Sequence, residues 1–255
     1  MKWYTLTPVS FKGDHTFFSR DSGAFCKAFQ RIGVESRAIM PTPVQENDEP
    51  DLIRTEYANL EDPVWWKSLG IDGLILYGWG MGKYLPIARA IHEAGIFLVV
   101  YMDSSGLFFP WQYWLPIAEN MYTKDVFTHG KIKGSAFFLL RLLKQHTWNL
   151  ASRGRRKHLD SGDMVAFPIP AALQSVADRQ WLYGKSIVRK LALVPNPISS
   201  TCRFAGEKRN IILAVGRWDD LLYKRPYLLM ATLQQALPHA PHWEAEICLL
   251  YTSDA

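Results

Sequence analysis

The chain has 255 residues, 48% of them hydrophobic and 13% aromatic, which is enough for a sizeable core in one large domain or two smaller ones. Its formal charge of +5 suits an anionic ligand or a membrane surface as well as nucleic acid. It holds no run of about 18 apolar residues and its N-terminus, MKWYTLTPVSFKGD, lacks a long apolar region, so neither a transmembrane helix nor a secretory signal is expected.

Lys2 to Pro8 reads as a first strand, followed by a loop with Gly13 near its middle. Asp21 or Ser22 is placed to cap the next helix. Phe25, Phe29 and Ile32 fall on one face of that helix, and Gly33 stands at its C-terminal end. Ser36 to Met40 is a second strand, stopped by Pro41 and Pro43, so the opening is a parallel unit with a crossover helix. Residues 44–62 are polar and read as surface loop, and Pro63 to Leu69 as a short helix. Ile71 to Tyr77 is a buried strand followed by GWGMG, and Pro86 to Ala94 is a helix ending at Gly95. Ile96 to Met102 is the most apolar strand, with Asp103, Ser104, Ser105 and Gly106 directly after it. Such strand ends are where open α/β sheets build their sites.

Residues 107–160 read as helical and aromatic. Phe137 to Leu140, Leu142 and Leu143 make an apolar cluster flanked by Lys131, Lys133, Arg141 and Lys144, and Arg153 to His158 adds a basic run. A core helix with a solvated basic end is the expectation here. The alternative is an interfacial helix with weak attraction to an anionic membrane surface. No nucleic-acid-binding module is recognisable, so nucleic acid is not expected as a partner. Met164 to Phe167 is a short strand, Ala171 to Tyr183 a helix, and Val188 to Val194 the last strand before a proline-containing link, Pro195 to Lys208. Cys26, Cys202 and Cys248 are far apart, show no metal-ligand spacing and read as reduced thiols of a cytoplasmic protein.

The most informative stretch is Arg209 to Leu237. Its apolar run, Ile211 to Val215, suits a strand buried on both faces and ends at Gly216. A polar loop carries Arg217, Asp219, Asp220 and Lys224. Pro226 suits the first turn of a helix on which Leu228, Leu229, Thr232, Leu233 and Leu237 recur at helical spacing. Two cations and a helix N-terminus beyond the end of a strand make a place for an anion such as phosphate.

This strand, Gly216-Arg217 pair and following Lys224 resemble the start of the second domain of family-4 retaining glycosyltransferases of the GT-B fold. The upstream Val194-Pro195-Asn196 resembles the end of that family's first domain. The resemblance covers residues 191–237 well and the rest of the chain loosely. It departs from the family at Arg225-Pro226, where a glycine often follows the lysine, and at Asp103, where the family often has a histidine. It implies an α/β fold with two Rossmann-like doubly wound domains. Residues 1–196 would form an acceptor-side domain and 197–255 an incomplete donor-binding domain.

The resemblance also implies roles. Gly216, Arg217 and Lys224 would hold the diphosphate of a nucleotide-sugar donor. Gly13 would sit in a loop facing the cleft, unless it serves only a turn. Asp103 is the candidate catalytic residue beside acceptor and donor sugar, with capping of a helix or turn as the other reading. The implied reaction moves a sugar to a glycan or lipid-linked acceptor, as in polysaccharide biosynthesis, with no cofactor and no metal. A sugar-nucleotide epimerase or phosphorylase on the same fold, or a non-catalytic binding module, are the alternatives. The protein is expected in the cytoplasm, at most peripheral at the membrane. Residues 248–255, CLLYTSDA, match no family segment and read as a non-native tail. On that reading the chain is cut short and has no useful transferase activity of its own.

Overall fold

The computed structural model describes residues 1–103, 122–123, 125–144, 148–198, 206–207, 209–216 and 226–249. The chain divides into two compact units. One comprises Met1–Phe108 and Thr147–Cys202, the other Phe109–His146 and Arg203–Ala255.

The first unit is built on seven strands: β1 (Trp3–Leu6), β2 (Ala38–Pro41), β3 (Leu52–Thr55), β4 (Gly73–Tyr77), β5 (Phe97–Tyr101), β6 (Met164–Phe167) and β7 (Leu191–Leu193). They lie in the order β3-β2-β1-β4-β5-β6-β7, and every neighbouring pair is parallel. The sheet is therefore α/β and doubly wound, because right-handed crossovers on the two sides of β1 and β4 put helices on opposite faces. Burial follows from that arrangement. All five residues of β4 are buried, as are Leu98 to Tyr101 of β5 and all of β2. Both faces of a parallel sheet are covered, so its strands read as continuous apolar runs.

Helices α1 (His15–Phe18), α2 (Asp21–Arg31), α3 (Tyr57–Leu60), α4 (Pro63–Ser68) and α5 (Leu85–Glu93) connect the first five strands. Asp14 caps α1 by accepting from the backbone N–H groups of Thr16 and Phe17, and Asp62 caps α4 by accepting from Val64. Gly33 and Gly95 follow α2 and α5 with φ of +79° and +78°, the left-handed conformation that ends helices at least cost in glycine.

Several expectations are corrected. Residues 44–62 are not all loop, since they hold β3 and α3. Neither Asp21 nor Ser22 caps α2: the residue before its first turn is Arg20, which makes no side-chain cap bond. Ser22 lies inside the helix, its hydroxyl 2.6 Å from that of Thr7 and buried with it. Ile32, expected on one face of α2 with Phe25 and Phe29, lies just past the last helical turn and is exposed. The run Arg153–His158 is not a uniformly solvated basic patch, because it belongs to the helix Trp148–Asp160, where His158 is fully buried.

The second unit contains the helix Lys131–Lys144, strands β8 (Ile211–Gly216) and β9 (Glu244–Leu249), and the helix Pro226–Ala236. β8 and β9 are parallel with six paired residues, and the helix Pro226–Ala236 lies between them in sequence, which makes a crossover unit. β8 is not buried on both faces as its composition suggested. Leu213 is 62% exposed, and only Gly216 of this strand is buried, because the sheet has two strands among the described residues.

Candidate functional site

The strand order reverses between β1 and β4. Successive connections run outward through β2 and β3 on one side and through β5, β6 and β7 on the other. The loops leaving the carboxyl ends of β1 and β4 therefore diverge and leave a crevice above the sheet. This is where open α/β sheets take their ligands. At this carboxyl edge lie residues 7–14 after β1, Gly78–Met81 after β4, and Met102 and Asp103 after β5.

The first loop is held by a buried ion pair. The side chain of Arg54 of β3 is only 3% exposed and grips Asp48 with two parallel bonds, Nε to Oδ2 at 2.9 Å and Nη2 to Oδ1 at 2.8 Å. Its remaining reach goes to the loop: Nη1 donates to the Ser10 hydroxyl and the Pro41 carbonyl, and Nη2 to the Phe11 carbonyl. Asp48 also accepts from the backbone N–H groups of Gly13 and Gln45. The Arg54 guanidinium and these N–H groups hold the Asp48 carboxyl below the usual carboxylate range, against the opposing effect of burial. Gly13 itself is required by close approach, since a Cβ there would run into Leu52 and Asp48.

The second loop is conformationally unusual. Trp79 has φ +50°, and Gly80 after it has φ +62°. A bulky residue in the left-handed region is held there by its surroundings, and such positions concentrate at sites of function. Gly80 cannot be replaced cheaply, since an added Cβ would sit 2.5 Å from the Sδ and Cε atoms of Met102. Two residues on, Gly82 crosses the helix Trp148–Asp160 at Gly154, where a Cβ would lie 2.6 Å from backbone. Two close glycine contacts thus hold the loop, while the Trp79 ring lies edge-on to Tyr77 at 5.7 Å.

Behind this loop an aromatic stack lines the ends of β4 and β5. Tyr77 and Tyr101 stack at 5.3 Å, and Phe25 of α2 meets Tyr101 edge-on at 4.9 Å. The Tyr101 hydroxyl donates toward Asn196 Oδ1 at 2.6 Å and the Val194 carbonyl at 3.0 Å, tying down the chain after β7. Burial first, then the nearby Asp103 charge, drives the Tyr101 phenol far above its ordinary range, so it stays protonated.

Of the residues singled out in sequence, Gly13 and Asp103 lie at the same edge of the same sheet, on loops after β1 and β5. Asp103 is partly exposed, and the turn it could cap falls outside the described residues. Gly216 is the buried last residue of β8. Arg217 and Lys224 lie outside the described residues. Cys26 is fully buried and its thiol is pushed up to about 11 by burial, which leaves it unreactive. Among the described residues no three His, Cys, Asp or Glu side chains come together as a metal site.

Sequence reasoning missed Arg54, Asp48, Trp79 and Tyr101. Only Trp79 carried a usable signal, a large side chain between two glycines directly after a buried strand. An indentation at the opposite edge of the sheet, between α5 and β6, is a structural joint. There Asp163 accepts from Leu98 N, and Lys190 donates to the Asp160 and Gly162 carbonyls.

No family model matches the chain, and no curated protein matches it. Among solved structures it aligns with Phytolacca americana UGT2 complexed with UDP-2fluoro-glucose and pterostilbene, at a TM-score of 0.41 and 10% identity. The alignment covers 85% of this chain and 60% of that one, so the chain spans less than two thirds of that protein's length.

Proposed function

We propose that the chain supplies the acceptor-side domain and the opening of the donor-binding domain of a sugar transferase. It would move a sugar from a nucleotide-diphosphate donor to a glycan or lipid-linked acceptor, in the manner of family-4-like retaining enzymes of the GT-B type. The observation that carries this reading is the end of β8. A parallel strand stops at the buried Gly216, the next residue in sequence is Arg217, and Lys224 precedes the helix Pro226–Ala236 by two residues. A loop between strand and helix with these two cations suits a diphosphate, the forked guanidinium bridging two oxygens and the ammonium adding a point charge.

In this reading the chemical demand is to stabilise charge on the departing diphosphate, which the two cations meet without a metal. The crevice between the β1 and β4 loops would take the acceptor. There Arg54 and Asp48 pre-shape one wall, and the strained Trp79 turn presents an aromatic surface suited to the apolar face of a sugar or lipid-linked group. Asp103 lies at the same edge and is the acid that could face the reacting hydroxyl.

Calorimetric titration of the full-length parent, with its donor-binding domain whole, against UDP and GDP at one salt concentration tests the reading. Arg217→Ala should weaken binding about ten- to hundredfold, the effect of losing a charge-assisted hydrogen bond, while Arg217→Lys recovers only part of it. Binding that is absent in the parent chain, or unchanged in Arg217→Ala, removes the reading.

A further inference from the structure

The helix Lys131–Lys144 is inside out. Its inner flank is marked by Gly134, where a Cβ would fall 2.5 Å from Val126 Cα, so that flank is pressed onto the preceding turn. Phe138, one turn further on, meets Tyr122 edge-on at 5.4 Å on the same side. The opposite face carries Ile132, Ala136 and Leu139 at i, i+4 and i+7, with Leu140 beside them. Ile132 is 88% exposed, Leu139 58% and Leu140 56%. A surface helix of a soluble protein normally turns such a stripe toward its core. The expectation that this apolar cluster forms a core helix is therefore overturned at these positions.

The charges around the stripe decide what covers it. Among residues 122–140 the described lysines are Lys131 and Lys133, against one acid, Asp125, which is buried. Lys131 and Lys133 are exposed at the start of the helix. A second copy docked face to face would bring two such basic rims together, which repel. An anionic lipid surface satisfies both parts, accepting the apolar stripe at its acyl boundary and the lysines among its headgroups. Fourteen residues rise about 21 Å, short of the roughly 30 Å hydrocarbon core, so the helix can lie along a bilayer but not cross it. We propose that the exposed face of the helix Lys131–Lys144, with its flanking lysines, is a docking surface for an anionic lipid bilayer. The surface would serve whatever reaction the chain takes part in.

Sedimentation of the full chain with vesicles of phosphatidylcholine alone, and with about one quarter phosphatidylglycerol, provides the test, at low and high salt. Binding is expected to the anionic vesicles and to weaken with salt. Removing a basic charge should lower it about fivefold, so Lys131→Gln/Lys133→Gln should lose more than tenfold. Ile132→Ser/Leu139→Ser should lose more than tenfold at either salt. Unchanged far-UV circular dichroism and melting in both variants show that folding is intact. The proposal is overturned by no binding to anionic vesicles, by equal binding to neutral ones, or by binding that both variants retain. Self-association by light scattering that vanishes in Ile132→Ser/Leu139→Ser, without vesicle binding in the parent, assigns the face to a second copy instead and also overturns it.

Discussion

Replacing Arg54 by methionine removes the guanidinium and keeps the aliphatic stem. The structure makes this an expensive change. Asp48 loses both of its Arg54 bonds, and the carbonyls of Phe11 and Pro41 and the Ser10 hydroxyl lose a donor. Asp48 is itself largely shielded, with its side chain 11% exposed, so its charge is left with only the backbone N–H groups of Gly13 and Gln45. Breaking a buried pair from one side costs about 3–5 kcal/mol, whereas an exposed pair is worth about 0–1 kcal/mol. We expect Arg54→Met to lower unfolding stability by about 3 kcal/mol or more, measured by urea titration followed by tryptophan fluorescence. The double variant with Asp48→Asn should cost less than the two single changes added together, because the charge that Arg54 neutralises is gone. There is also a pH signature. Asp48 titrates below its ordinary value in the folded state, so its contribution is present above about pH 4 and is lost as pH falls through the folded value. Arg54→Met should flatten that part of the acid limb. A cost under about 1 kcal/mol, with an unchanged acid limb, would show that the loop is not held by this pair.

His158 is fully buried, with neither ring nitrogen hydrogen-bonded among the described residues, and burial pulls its pKa down to about 4. Its neutral form is favoured in the fold, so stability is full above about pH 6.5 and should fall by about 3 kcal/mol toward pH 4 as the unfolded chain takes up the proton. Equal urea midpoints against pH for the parent and His158→Leu would contradict this. Gly80→Ala should cost about 2–4 kcal/mol, from its φ of +62° and the collision with Met102, read as a drop in urea midpoint. Tyr101→Phe should cost about 1–2 kcal/mol and raise amide exchange near Val194 and Asn196, which lose the bond to its hydroxyl; unchanged exchange there would mean that the segment is anchored by other contacts.

The parallel sheet was legible because its central strands are unbroken apolar runs. β4 and β5 need to satisfy no solvent face, so composition alone marks them. Gly33 and Gly95 were legible for a similar reason, since each ends a helix in a conformation that glycine favours. β3 was not legible. It sits at the sheet edge as Leu-Ile-Arg-Thr among acids and prolines, and Arg54 looks like a surface residue until Asp48 is seen to face it. The exposure of Leu213, Leu139 and Leu140 was also hidden, because composition records how apolar a segment is but not what covers it. In the site, the loops at the carboxyl edge could be anticipated from strand ends. The strain at Trp79 and the Tyr101 tie to Asn196 depend on residues brought together from distant parts of the chain.

The seam between β5 and β6 has a consequence for how the first unit is assembled. Across the β4–β5 seam, Gly73 pairs with Phe97, 97 − 73 = 24 residues apart. Across the next seam Val99 pairs with Met164, 164 − 99 = 65 residues apart, because residues 109–146 belong to the other unit. Closing the longer loop costs about 1 kcal/mol more in chain entropy, which is small in equilibrium terms. In time the effect is larger, since non-local pairings form late and slowly. During synthesis β3, β2, β1, β4 and β5 can pair while the edge of β5 stays open, until about sixty further residues have left the ribosome. Until β6 arrives, that unpaired edge is a template on which the nascent chain can take a wrong strand.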